Sequence, residues 1–171
     1  MANAAAETTV APFTAFNFRV EIDVPGLPGT VCSAAFAECD GLEMTIEAKT
    51  IREGGNNGAQ IRLAGPFAYG QLTLKRGMTA SFDLWDWLEA TLTNPQLRGE
   101  AQVIVLAADG TREQVKFHLS RCLPIKLKAP ALNAKDGIVA IEELQLAYEA
   151  LALERPAAGV ASAALGAFGR I

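Results

Sequence analysis

The chain has 171 residues, half of them hydrophobic and a fifth charged, with a net charge of −4. That length supports one domain with a core of its own, and the weak acidity argues against tight nucleic-acid binding, which needs clustered Lys and Arg to displace counterions. No apolar run is long enough to span a bilayer, and the N-terminus lacks the basic-then-apolar pattern of a secretory signal, so synthesis in the cytoplasm and no stable membrane association are expected. The three cysteines, Cys32, Cys39 and Cys122, are odd in number and lack metal-ligand spacing. They read as small buried hydrophobes in a reducing compartment.

Residues 1–13, rich in Ala and Thr, carry no periodicity and read as an arm. Residues 16–24 then alternate strictly, with Phe16, Phe18, Val20, Ile22 and Val24 on one face and Asn17, Arg19, Glu21 and Asp23 on the other. This is the pattern of a half-buried strand, broken by Pro25, Gly26, Pro28 and Gly29. Residues 33–39 are a weaker strand candidate. Leu42, Met44 and Ile46 alternate with Glu43, Thr45 and Glu47, but the phase changes near Ala48. A phase change predicts a bulge, or a strand that leaves its own sheet to serve another surface. The Gly- and Asn-rich stretch 53–58 is a strong loop signal that can turn a hairpin between 42–52 and 59–63. Residues 71–75 alternate again up to Gly77.

A helix is predicted after Ser81, which is expected to cap it, with Asp83 in the first turn favoured by the helix dipole. Phe82, Trp85, Leu88 and Leu92 define its expected apolar face, broadened by Leu84 and Trp87, and Asn94-Pro95 stops it. Residues 101–107 and 114–119 form a hairpin around Asp109-Gly110. Pro124 and Pro130 bracket an extended segment over 125–128. Residues 138–151 fit strand and helix periodicities equally, and propensity alone favours helix. Residues 154–171 form a tail of small apolar residues. The fold class is mainly β, a sandwich or small barrel with one flanking helix.

Reactive groups are scarce. His118, the one histidine in the chain, falls on the polar parity of its strand, with no Cys or carboxylate at ligand spacing. Cys122 shares its parity without adjacency, which disfavours Cys–His chemistry. The loop over 53–58 lacks the Gly-Lys-Ser/Thr ending of a phosphate-binding loop. Glu142, Glu143 and Glu149 read as a solvated face, and Lys75, Arg76 and Arg62 as surface charges suited equally to a phosphate contact or to ion pairing across a subunit boundary. No cofactor, metal or catalytic set is implied, so a scaffold or binding module is expected rather than an enzyme.

Several stretches carry a resemblance. Ile51-Arg52-Glu53-Gly54-Gly55-Asn56-Asn57 resembles the signature loop of the T4-like tail tube family, the inner tube proteins of contractile phage tails and extracellular contractile injection systems. Phe16-Asn17-Phe18-Arg19-Val20 resembles that family's opening strand, and Leu72-Thr73-Leu74-Lys75-Arg76-Gly77 the strand before its helix. Glu38-Cys39-Asp40-Gly41-Leu42 resembles another family segment, with Cys39 where a Ser or similar small residue is more usual. Ala131-Leu132-Asn133-Ala134 and Val139-Ala140-Ile141-Glu142-Glu143-Leu144 resemble its closing segment. The resemblance covers 14–153, and the apolar tail beyond Arg155 is longer than the family pattern.

The resemblance implies a β-sandwich with a flanking helix, six-membered rings stacked into a hollow tube, and strands of all six copies closing one barrel around the lumen. It makes 138–151 a strand. Its implied partners are further copies of the chain, a sheath protein, baseplate and tube-terminator proteins, and effector or DNA cargo, in a virion or injection particle also found outside the cell. Arg52, Glu53, Gly54, Gly55, Asn56, Asn57, Lys75 and Arg76 are then expected at inter-ring or inter-subunit contacts, and Glu43, Thr45, Glu47, Gln60 and Arg62 at the lumen. A tube-starting ring of the same fold, a monomeric ligand-binding β-barrel and a hydrolase using His118 are the alternatives.

Overall fold

The computed structural model describes residues 12–27, 30–34, 36–51, 60–133, 135 and 137–155. The alternation of the first strand becomes β1 (Phe18–Asp23), with Val20 and Ile22 fully buried and Phe16, before the strand, 67% exposed. The expected strand over 33–39 is two strands. β2 (Thr30–Ala34) pairs with β1, and β3 (Glu38–Asp40) pairs with β6 (Gln71–Gly77). Between them Phe36 is buried, so the chain crosses the core there instead of continuing along one sheet.

β4 (Met44–Ile51) and β5 (Ile61–Tyr69) form a separate two-stranded antiparallel sheet. The phase change near Ala48 is a bulge: the register shifts between Ile46 and Ala48, and Gly65 and Pro66 together oppose Glu47. A Cβ at Gly65 would lie 2.5 Å from the Glu47 carbonyl oxygen, so glycine lets the strands close there. β5 runs on to Tyr69, well past the expected end at Leu63.

β7 (Gly99–Leu106) and β8 (Glu113–Lys128) form the expected hairpin. Asp109 Oδ1 accepts from the Thr111 and Arg112 amides, and Gly110 takes a φ of +71°. The hairpin strand expected over 114–119 and the extended segment expected over 125–128 are continuous through Pro124. β8 is one 16-residue strand bent at Arg121, whose φ is +56°. The bend breaks the alternation, so Leu119 and Cys122 are both buried although three residues apart. Cys122 therefore faces the core while His118 stays on the outer side, against the shared parity read from sequence. The closing segment is strand, divided into β9 (Ile141–Ala147) and β10 (Ala150–Glu154).

The sheet follows the order β2-β1-β7-β8-β9-β6-β3, with β10 against the first part of β8. Because β8 bends, this path folds over into two layers. Val20, Ile22, Val103 and Leu119 of one layer share a core with Leu72, Leu74, Leu144 and Leu146 of the other.

The helix, α1 (Asp83–Thr93), packs against β2 and β8. Two of its expectations fail. Ser81 does not cap it; Phe82 occupies the cap position with no side-chain bond, and Asp83 Oδ1 accepts from the Leu84 amide at 2.9 Å. The buried face is Leu84, Trp87 and Thr91, whereas Phe82 and Leu92 are exposed. The helix carries two apolar stripes, and the one with Leu84 and Trp87 packs inward. Asp83, Trp87 and Thr91 recur every four residues, so Asp83 stands at the start of the inward stripe, where it accepts from Arg76 on β6. Gly99 leaves room for the indole, since a Cβ there would lie 3.1 Å from Trp87 Cζ2.

Candidate assembly surface

Every residue of β4 is exposed, and large apolar side chains cover the hairpin: Met44, Ile46, Ile51, Ile61, Leu63 and Phe67 are each more than two-fifths exposed. A two-stranded ribbon is marginal alone in water, and this one is held at its base. The Tyr148 hydroxyl accepts from the Glu43 amide at 3.1 Å, and lies within donating reach of the Gly41 and Glu43 carbonyls at 2.9 and 3.0 Å. The Gly70 amide donates to the Glu43 carbonyl. Gly41 has a φ of +95°, and a Cβ there would lie 1.9 Å from the Gln71 carbonyl oxygen. Tyr69 packs on Tyr148 and Phe67 edge-on to Tyr69, with ring centroids 5.6 and 5.8 Å apart.

The register divides the five residues expected at a lumen. Partners across an antiparallel pair share a face. Met44↔Tyr69 and Ile46↔Phe67 lie on one side of the ribbon, with Thr45 and Glu47 on the other. Thr50↔Arg62 returns to the Ile46 side, because β4 keeps its alternation while the bulge shifts β5. Arg62 and Glu47 are therefore on opposite faces. Glu43, Thr45, Glu47, Gln60 and Arg62 are all exposed. Arg52, Glu53, Gly54, Gly55, Asn56 and Asn57 lie outside the described residues.

Lys75 and Arg76, neighbours in sequence, separate completely. Lys75 lies on the outer face of β6, where it pairs with Glu38 of β3. Arg76 points inward and is 5% exposed, which corrects its expected place at a subunit boundary. Its Nε donates to Glu142 at 2.6 Å, its Nη2 to Asp83 at 2.6 Å, and its Nη1 lies 3.1 Å from Cys32 Sγ. Burial alone would lower the Arg76 pKa, but the bonds to Asp83 and Glu142 outweigh it and the pKa is raised. Glu142, expected on a solvated face, is 1% exposed. Parity in the sequence carried this signal: Arg76 is in phase with Leu72 and Leu74, and Glu142 with Leu144 and Leu146. The cluster ties α1, β6 and β9 together.

His118 Nε2 lies 2.6 Å from Glu154 Oε2 on the half-exposed outer side of β8. Cys32 and Cys122 are buried and Cys39 half-buried. Burial pushes their pKa values up, to about 11 for Cys32 and Cys39 and about 12 for Cys122, which keeps the thiols protonated and unreactive.

The outer face of the four-strand layer formed by the end of β8, β9, β6 and β3 is polar. Glu38 pairs across to Lys75, Lys75 to Glu143, and Glu143 to Lys128. One row along, Asp40 pairs with Thr73, Thr73 with Gln145, and Gln145 with Lys126.

The family model for the T4-like virus tail tube protein gp19 matches residues 14–152. No curated protein matches the chain. Among solved structures, it is similar to a chain in the six-fold symmetrised baseplate of the anti-feeding prophage, at 24% identity and a TM-score of 0.77, covering 86% of this chain and 98% of that one. A chain of the sheath–tube complex of the PVC extracellular contractile injection system matches at 19% identity and a TM-score of 0.71, covering 85% and 93%. A chain in the anti-feeding prophage tube-terminating cap matches at 20% identity and a TM-score of 0.74, covering 91% and 100%.

Proposed function

Since the chain belongs to the T4-like virus tail tube protein family, we propose that it is a structural subunit of the inner tube of a contractile injection machine, assembling into six-membered rings that stack into a hollow conduit. The observation that carries this reading is the β4–β5 ribbon. It exposes large apolar side chains while its base is fixed by Tyr148 and Gly41. A monomer gains nothing from a rigidly mounted apolar arm in water. A ring subunit gains a surface to cover with its neighbour, and heterologous contacts that close give rings. The near-complete coverage of chains from a six-fold baseplate, a sheath–tube complex and a tube cap supports the same assembly class.

In this reading the Met44, Ile46 and Phe67 face of the ribbon lies against a second copy. Glu43, Thr45 and Glu47 face the channel, and Arg62 goes to the contact side. Residues 52–57 reach the adjacent ring, where Gly54 and Gly55 permit close backbone approach. A sheath outside, baseplate and terminator proteins at the ends, and cargo inside are the partners. The role is passive guidance, without catalysis.

Purified chain examined by mass photometry and negative-stain microscopy is expected to give six-copy rings and tubes. A single copy that stays monomeric at high concentration would remove the reading. Replacing Gly54 and Gly55 with Val is expected to leave rings intact but unstacked, and normal long tubes would end the stacking role given to that loop.

A further inference from the structure

The four-strand layer of β8, β9, β6 and β3 ends in two unlike edges. At one edge, β3 presents Glu38 and Asp40, both exposed. At the other, the last part of β8 presents Lys126 and Lys128, also exposed. Among the described residues, no strand pairs with the far side of either edge. Pro124 in β8 fits that status, since a residue without an amide proton is confined to sheet edges and bulges.

Between the edges the charges follow a sequence. The row Glu38, Lys75, Glu143, Lys128 reads acid, base, acid, base across all four strands, and the next row begins with Asp40 and ends with Lys126. The three internal pairings are all antiparallel, so β3 runs opposite to β8. A second copy placed with its β8 beside this β3 therefore continues both the antiparallel alternation and the charge alternation. In that arrangement Glu38 meets Lys128 and Asp40 meets Lys126. The stagger that any closed barrel requires can slip the strands by two residues and still leave one acid facing one lysine. Turning the copy around would set acid against acid or lysine against lysine, which is destabilising directly across strands.

We propose that the acidic β3 edge and the basic β8 edge form a polarised joint between successive copies, fixing the head-to-tail order in which the ring closes. The inference rests on the tube reading and adds which strands meet and what selects their order.

The test uses two charge-reversed full-length variants. E38K/D40K is basic at both edges and K126E/K128E is acidic at both. Each alone is expected to stay unassembled where the native chain forms rings, with the association midpoint raised on the order of 100-fold by like-charge contact. Mixed in equal amounts, they are expected to form rings again, and native mass spectrometry should find three copies of each. Rings from either variant alone at the native midpoint would overturn the joint while leaving the tube reading standing. So would a mixture that stays unassembled although both variants keep the native circular dichroism spectrum. Absence of rings from the native chain under the same conditions would overturn both. Should a reversed variant lose its fold, D40N and K126Q take its place. Each is expected to raise the midpoint by roughly tenfold, and an unchanged midpoint overturns the joint.

Discussion

Two regions of this chain invert the usual rule of burial. Behind β6, a guanidinium and two carboxylates lie within the core layer, with Arg76 and Glu142 nearly inaccessible. On the β4–β5 ribbon, Ile46 and Phe67 stand 59% and 65% exposed. The first region is complete within one copy, because every charge has its partner at hydrogen-bond distance. The second is incomplete, because among the described residues nothing covers its apolar surface. The difference separates what this chain does for its own fold from what it leaves for its neighbours.

Breaking the first region carries the largest expected effect. Arg76→Met leaves Glu142 buried without its cation, and removal of one partner from a buried pair costs about 3–5 kcal/mol. Urea denaturation of the variant should show that loss. Arg76→Met combined with Glu142→Leu should recover most of it, since apolar replacement of a whole buried pair is often neutral. If the single variant is as stable as the native chain, the cluster is not what fixes α1 to the sheet.

The joint between the two regions comes next. Gly41→Ala forces a Cβ into the Gln71 carbonyl at a φ of +95°. Overpacking and left-handed backbone strain together are expected to cost about 3 kcal/mol. Thermal unfolding measures it. Gly26→Ala, at a φ of +90° with open space around it, provides the control that carries backbone strain alone.

Much of this architecture was legible in the sequence. Val20 and Ile22, Val115 to Leu119, and Leu72 to Leu74 declare their strands by alternation, and Asp109-Gly110 declares its hairpin. What escaped was whatever depends on two distant segments. Arg76 and Glu142 are 66 positions apart; parity puts each on the buried side of its strand, but nothing local names the partner that makes burial of the charge tolerable. The stripe of α1 that turns inward also brings Asp83 to Arg76, a partner that local periodicity cannot register. The bend at Arg121 lets one strand serve two layers, so Cys122 and His118 part company. The bulge at Gly65 was visible as a phase change, but its consequence, Arg62 moved to the face opposite Glu47, needed the pairing.

The thiols carry a smaller and pH-dependent effect. Burial raises the Cys32 pKa from its ordinary 9.0 to about 11. A thiol whose folded pKa lies above its unfolded value contributes stability that is complete below pH 9. The unfolded chain ionises first, so that stability is lost as pH rises from 9 through 11. After allowance for screening, the loss from this group is about 1–2 kcal/mol. Cys39 and Cys122 act in the same direction. Urea midpoints at pH 8 and pH 10.5 should fall less in a chain with all three cysteines replaced by Ala, and parallel falls would remove the thiols as the cause.

The smallest effect on the isolated copy belongs to the ribbon, and there smallness is the point. Ile46→Thr with Phe67→Ser removes apolar surface that mostly faces water, together with the edge-on contact of Phe67 on Tyr69, so the stability of a single copy should fall by only about 1 kcal/mol. If the ribbon were merely a poorly packed part of the sandwich, the same changes would cost several times that, as large-to-small core substitutions do. Denaturation below the association midpoint therefore separates a surface kept for a neighbour from one that failed to bury. Sedimentation above that midpoint then reads the other half of the comparison: the double variant should keep its fold and lose its rings. A variant that unfolds easily yet still assembles would reverse the roles given to the two regions. The expected outcome ties ring formation to side chains that contribute little to the copy that carries them.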